Sequence, residues 1–134
     1  MLGLVAAPSA SAQPSCRALP AVRDAIERGW IAYRRNDITT AGNEFKRALA
    51  QCPNDPAALT GAGYAAMREN RLPEARAFFA RAIAVDSTSY DAVAGAGMAA
   101  YREGDPTSAR RSFERALRIV PGDSTALAYL ARVP

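Results

Sequence analysis

The strongest constraint on this chain is a repeat of period 34, in which Gly29, Gly63 and Gly97 head three copies of one pattern. Twelve residues after each glycine stands an alanine (Ala41, Ala75, Ala109). Four further on is a phenylalanine (Phe45, Phe79, Phe113), and three after that another alanine (Ala48, Ala82, Ala116). Four columns unbroken through three copies make the chain a repeat array, in which each unit buries its apolar face by stacking on its neighbours.

Each unit divides into two helical halves. The glycine-bearing halves are expected over residues 22–35, 56–69 and 90–103, and their partners over residues 39–52, 73–86 and 107–120. Ala41, Phe45 and Ala48 are spaced i, i+4, i+7, so they share one helical face. Asn36-Asp37, Asn70-Arg71 and Gly104-Asp105 suit a helix end and a tight turn. Pro73 and Pro106 stand where a new helix starts and a missing N–H does no harm. Pro53, Pro56 and Pro121 punctuate the joins between units. A glycine inside a helix is about 1 kcal/mol worse than alanine. Three of them at one phase therefore imply close approach of a neighbouring helix, with Ala32, Ala66 and Ala100 keeping the seam small. The phenylalanines are expected to fill the space at that approach.

The array resembles the tetratricopeptide repeat family over about residues 22–123: the period matches, with glycine at unit position 8, alanine at 20, an aromatic at 24 and alanine at 27. Pro53 and Pro121 meet the family's proline at position 32, where the second unit has Ser87. At position 4 the family prefers tryptophan, and this chain has Ala25, Leu59 and Val93; position 11, often tyrosine, is alanine throughout. The resemblance implies an all-α, right-handed α-solenoid of three helix–turn–helix repeats, at residues 22–55, 56–89 and 90–123. Residues 124–134 then form either a capping helix or the start of an incomplete fourth repeat.

In that family the first helix of each unit lines a concave groove. By register the groove positions are Arg23, Ile26, Trp30, Tyr33 and Arg34 in the first unit. The second contributes Ala57, Thr60, Tyr64, Met67 and Arg68, and the third Asp91, Ala94, Met98, Tyr101 and Arg102. Aromatic, methionine and arginine side chains are the types enriched at protein-binding hot spots. The competing reading is that the position-12 side chains pack between repeats and the arginines serve the helix ends. Family members that grip an acidic chaperone tail carry lysine at position 5 and asparagine at positions 9 and 6. Here those places hold Ile26, Trp30 and Gly61, so that clamp is not expected.

Nothing in the chain points to catalysis. It contains no histidine, the commonest general base and metal ligand. Gly61-Ala62-Gly63 and Gly95-Ala96-Gly97 imitate a phosphate loop but lack the Lys-Ser/Thr it requires, and they recur at the packing period. No cofactor and no metal site is read. Seventeen Lys and Arg against thirteen Asp and Glu give a net charge of +4, but the bases are dispersed among acids, which disfavours nucleic acid as a partner. The expected partner is a protein or peptide segment.

Residues 1–12 are uncharged and end in Ala10-Ser11-Ala12, the form of a signal-peptidase site, although a basic start is missing. They are read as the remnant of an export signal, followed by a lead-in at 13–21; a leader with no targeting role in a cytoplasmic protein is the alternative. No stretch approaches the roughly 20 apolar residues of a membrane span. Cys16 precedes the first helix and Cys52 ends the second, so in an antiparallel hairpin they lie at the same end. A Cys16–Cys52 disulfide, which an exported compartment would preserve, competes with two free thiols. The leading functional expectation is a non-enzymatic protein-interaction scaffold in a bacterial envelope. The alternative is a structural or self-associating spacer segment of a larger repeat protein, with self-association through the C-terminal helix at Leu127 and Leu130.

Overall fold

Many helix boundaries in this chain follow from short polar side chains at the start and, for the first helix of each unit, a left-handed residue just past the end. A computed structural model describes Gly3 and residues 16–134, so the expected leader lies, Gly3 apart, outside the described residues. After a 3-10 turn at Cys16–Ala18 come seven helices: α1 (Pro20–Arg34), α2 (Ile38–Gln51), α3 (Pro56–Arg68), α4 (Leu72–Val85), α5 (Tyr90–Arg102), α6 (Pro106–Ile119) and α7 (Ser124–Arg132). Among the described residues there is no strand. Asp37, Asp55, Ser89, Asp105 and Asp123 each accept a hydrogen bond from a backbone N–H in the first turn of the following helix. At the other ends, Asn36, Asn70 and Gly104 take positive φ of 62, 60 and 79°. The amides of Asp37, Arg71 and Asp105 then reach back to the carbonyls of Ala32, Ala66 and Ala100, each at 2.9 Å, which closes the helix end in a Schellman motif.

Several boundaries differ from the sequence expectation by one or two residues, and all six helices of the three units end one residue earlier, at Arg34, Gln51, Arg68, Val85, Arg102 and Ile119. The second helices start one residue earlier, at Ile38, Leu72 and Pro106. The first helix starts at Pro20, two residues early, because proline has its φ preset and the Leu19 carbonyl still accepts from Val22 and Arg23.

The helices pack as hairpins α1/α2, α3/α4 and α5/α6, each against the next, and α1, α3 and α5 also touch in succession. The result is a helical solenoid with the three first helices side by side. Its core is a series of phenylalanine sockets. Phe45, Phe79 and Phe113 are fully buried. A Cβ at Gly63 would stand 2.7 Å from the Phe79 ring, and one at Gly95 2.5 Å from the same ring on its other side. Phe45 is held in the same way between Gly29 and Gly61. The second glycine column, Gly61 and Gly95, thus receives the phenylalanine of the preceding unit, and the first column receives that of its own.

At the N-terminal end Cys16 and Cys52 are joined as a disulfide with Cα atoms 5.6 Å apart, beside an apolar cluster of Val22, Ala25, Ala48 and Ala58. At the other end α7 takes the place of a fourth first helix. Among the described residues no helix is long and apolar enough to cross a membrane.

Candidate protein-binding groove

The surface shared by α1, α3 and α5 carries the register positions, but the structure divides them by role. Trp30, Tyr33 and Tyr64 form one aromatic group: Trp30 meets Tyr33 at 5.5 Å and Tyr64 at 6.2 Å between ring centroids. Behind them Phe45 supports Trp30 and Phe79 supports Tyr64, both edge-to-face at 5.0 Å. These aromatics are half-buried, so each offers one side outward while the other is held by the core. Met98 is half-buried beside them, and Tyr101 is 37% exposed against Tyr129 of α7.

Several other positions are committed elsewhere. Met67 is only 6% exposed and belongs to the core around Phe79, and Ala94 is buried as well. Thr60 is 5% exposed, and its hydroxyl donates to the Pro56 carbonyl at 2.7 Å. The Tyr64 hydroxyl donates at 2.8 Å to the Asp91 backbone carbonyl, a tie from the second unit to the third. Burial, reinforced by the Asp91 charge, pushes the Tyr64 hydroxyl well above its usual range, so it stays protonated.

Two of the three arginines in the column make ties between units. Arg68 donates to Asn36 Oδ1 at 2.5 Å and its guanidinium lies 5.3 Å from the centre of the Tyr33 ring. Arg102 donates to the Met67 carbonyl at 2.9 Å and to Asn70 Oδ1 at 3.3 Å. Each arginine therefore clasps the turn of the unit before it, and the left-handed asparagine supplies the acceptor. Arg34, in the first unit, is exposed and makes no such bond among the described residues.

Sequence reasoning missed a second column of the same kind. On the second helices, Arg81 donates to the Pro53 carbonyl at 2.9 Å and Arg115 to the Ser87 carbonyl at 3.1 Å. Arg76 adds a further tie, to Glu103 at 2.7 Å and Asp105 at 3.0 Å. Hydrogen bonds from Ser108, and then from Arg76, hold the Asp105 carboxyl below its usual range. Much of the arginine excess is thus engaged in joining units, where a planar fork suits paired carbonyl and carboxylate acceptors.

A cavity of about 540 Å³ at the C-terminal end is lined by Tyr101 and Arg102 of α5 with Gly104, Pro106, Arg132 and Pro134; two more, side by side, open on the surface of α1 and α3. One, of about 210 Å³, is lined by Trp30 of α1, by Pro56, Ala57 and Thr60 of α3, and by Asp86, Ser89 and Asp91 at the entry to α5. The other, of about 290 Å³, is lined by Val22, Arg23, Ile26 and Ala57. Ala57 is common to both. Asp86 and Ser89 escaped the sequence reading because they sit in the join between units, outside the register of first-helix positions. The only available signal was that this join leads directly into α5.

A sequence profile described as Tetratricopeptide repeat matches residues 26–92 and 94–133. The chain belongs to the tetratricopeptide repeat family. That family is one of protein-interaction scaffolds. Among solved structures the fold is similar to the Sgt2 TPR domain from Aspergillus fumigatus, at TM-score 0.84 and 20% identity, over 90% of this chain and 82% of that one. It is also similar to the first TPR of Spaghetti (RPAP3) bound to the HSP90 peptide SRMEEVD, at 0.82 and 18%, over 84% and 90%. The second TPR domain of human RPAP3, in complex with an HSP70 peptide, gives 0.79 and 21% over 84% and 94%. At these identities the likeness is one of fold. No curated protein matches the chain.

Proposed function

We propose that this tetratricopeptide repeat chain is a non-enzymatic adaptor that binds an extended segment of another protein along α1, α3 and α5. The observation that carries the reading is that two adjoining cavities open on these first helices and share Ala57 as a wall. Half-buried, core-supported aromatics beside them give large contact area at little further ordering cost. The RPAP3 domains, of the same fold, hold peptides. The chaperone-tail clamp is not the mode here: Gly61 is occupied by the approach of Phe45, and Ile26 and Trp30 line the cavities without a cationic head group.

We assign the adaptor to an exported setting, such as a bacterial envelope assembly, on the Ala10-Ser11-Ala12 motif and a disulfide of a kind that persists in oxidising compartments. The test is a photo-crosslinking amino acid placed at Ala57, compared with one at exposed Ala80 on α4. One polypeptide captured from cell extract at 57 and not at 80 is the expected result. Equal capture at both positions would remove the groove from consideration.

A second reading, self-association through α7, rests on one contrast. Leu59 and Val93 are fully buried among the helices packed around them, whereas Leu127, at the same position of α7, is 50% exposed. A solution mass that rises with concentration and falls back in Leu127→Asp would favour it.

A further inference from the structure

The cavity at Trp30 differs in charge from its surroundings. Six acids, Asp24, Glu44, Glu69, Glu74, Glu103 and Asp105, lie within 4.0 Å of a guanidinium. Asp86 and Asp91, which converge on the cavity from the join and from α5, have no Lys or Arg partner within 4.0 Å among the described residues. Asp86 is held in place by Thr88, whose amide and hydroxyl donate to its Oδ1 at 3.1 and 2.9 Å, so its other oxygen is left over. Ser89 adds a hydroxyl, and Trp30 adds the aromatic type that attracts cations best. A basic chain with arginine in excess thus leaves two carboxylates unpaired at an aromatic-walled cavity. The adjoining cavity is almost wholly apolar, formed by Val22, Ile26, Ala57 and the stem of Arg23.

We propose that the two cavities read a basic side chain and an apolar side chain two positions apart in the bound segment, a specificity that rests on the groove reading above. The lysine or arginine enters between Asp86, Asp91 and Trp30, and the apolar residue enters beside Ile26. The shared Ala57 wall makes the two cavities neighbours, and in an extended chain the nearest residues that face the same way are i and i+2, about 6.6–7 Å apart. An acidic segment is turned away by like charge at the same two carboxylates, so the preference is opposite to that of a groove built to hold carboxylates.

The probes are short capped peptides, Gly-Leu-Ser-Arg-Gly and its reverse order Gly-Arg-Ser-Leu-Gly, with Gln or Glu in place of Arg as controls. They are titrated to millimolar concentration into the isotopically labelled chain. The chain has a single tryptophan, so indole fluorescence and its NMR signal report this cavity directly. We expect saturable shifts at Trp30 and Asp91 for one Arg order, weakened by added salt, and binding of the Glu peptide weaker by about tenfold or more. Asp86→Asn with Asp91→Asn should bring the Arg peptide down to the Gln peptide, with an unchanged melting curve as the control for folding. Equal binding of the Arg, Gln and Glu peptides in the groove overturns the charge preference and leaves the groove reading standing. No saturable shift at the cavities with either basic order overturns the proposal too. If the polypeptide crosslinked at Ala57 then binds the Asn variant undiminished, the groove reading survives on its own.

Discussion

Phe79 and Phe113 occupy the same place in successive units, yet their surroundings differ. Phe79 lies between Gly63 and Gly95, whereas Phe113 has Gly97 on one side and the ring of Tyr129 stacked on the other, with centroids 4.5 Å apart. Inside the array the incoming first helix brings glycine to the ring and its backbone comes close. At the last joint the same position is tyrosine, and the gap is filled by an aromatic face. The polar ties follow the same division. Asn36 and Asn70 accept from Arg68 and Arg102 of the following unit. In the third turn Gly104 satisfies the left-handed backbone but offers no side-chain acceptor. Arg110 instead reaches the backbone carbonyls of Val133 and Pro134. Internal joints are therefore made by helix-to-helix fit with a recurring arginine tie, and the end joints by particular local devices: Tyr129 at one end, the Cys16–Cys52 bond at the other.

Truncation of the phenylalanines probes this difference most strongly. Phe79→Ala should cost about 3–5 kcal/mol in denaturant unfolding, because a ring fixed between two helix backbones leaves a cavity that cannot collapse. Phe113→Ala should fall at or below the bottom of that range, since Tyr129 can settle into the space. A Phe113 variant as damaging as Phe79→Ala would break the distinction between inner and terminal joints.

Reducing the disulfide tests the N-terminal end. The cysteines are 36 residues apart in sequence, and opening a loop of that size should lower stability by about 3–4 kcal/mol. Thermal unfolding with and without reductant measures it. Unreduced protein that takes up two alkyl groups in mass spectrometry would remove the bond from the account.

A smaller effect separates seam glycines from an ordinary helical glycine. Gly95→Ala gains helix propensity, about 1 kcal/mol, but its Cβ would meet the Phe79 ring at 2.5 Å, and that ring is backed by Gly63. Overpacking of this kind costs typically about 1–3 kcal/mol, so the variant should be net destabilised. Gly42→Ala in α2 meets nothing closer than Ala65 Cβ at 3.8 Å, so it should be stabilised by up to about 1 kcal/mol. Equal signs for the two changes would contradict the socket description.

The smallest expected difference lies in the arginine column. Arg102→Gln should cost about 1 kcal/mol through its lost bonds to the Met67 carbonyl and Asn70. Arg34→Gln, which removes no such bond among the described residues, should leave the midpoint unchanged. Matching losses would mean that Arg102 contributes through general charge and not through the clasp.

Much of the fold could be read from the residues because it is written locally and then repeated. Turn residues at Asn36, Asn70 and Gly104, prolines at helix starts and the glycine–phenylalanine columns each act over a few residues, and their period sets the register. The groove was legible only as a set of positions. Met67 and Thr60 share that register with Trp30, but the depth at which each settles depends on the neighbouring unit. Asp86 and Ser89 were invisible as site residues because nothing local marks a loop as one wall of a cavity whose other walls stand on α1 and α3.

The sequence by itself thus determined the unit, its two helices and the small residues on which the helices meet, because propensity, capping and apolar periodicity act within one unit. Which arginines are engaged and which carboxylates are left unpaired was decided only by the tertiary structure. The partners of Arg68 and Arg102 lie 32 to 35 residues away in sequence, so a side chain's role follows from what the next unit brings within hydrogen-bond reach.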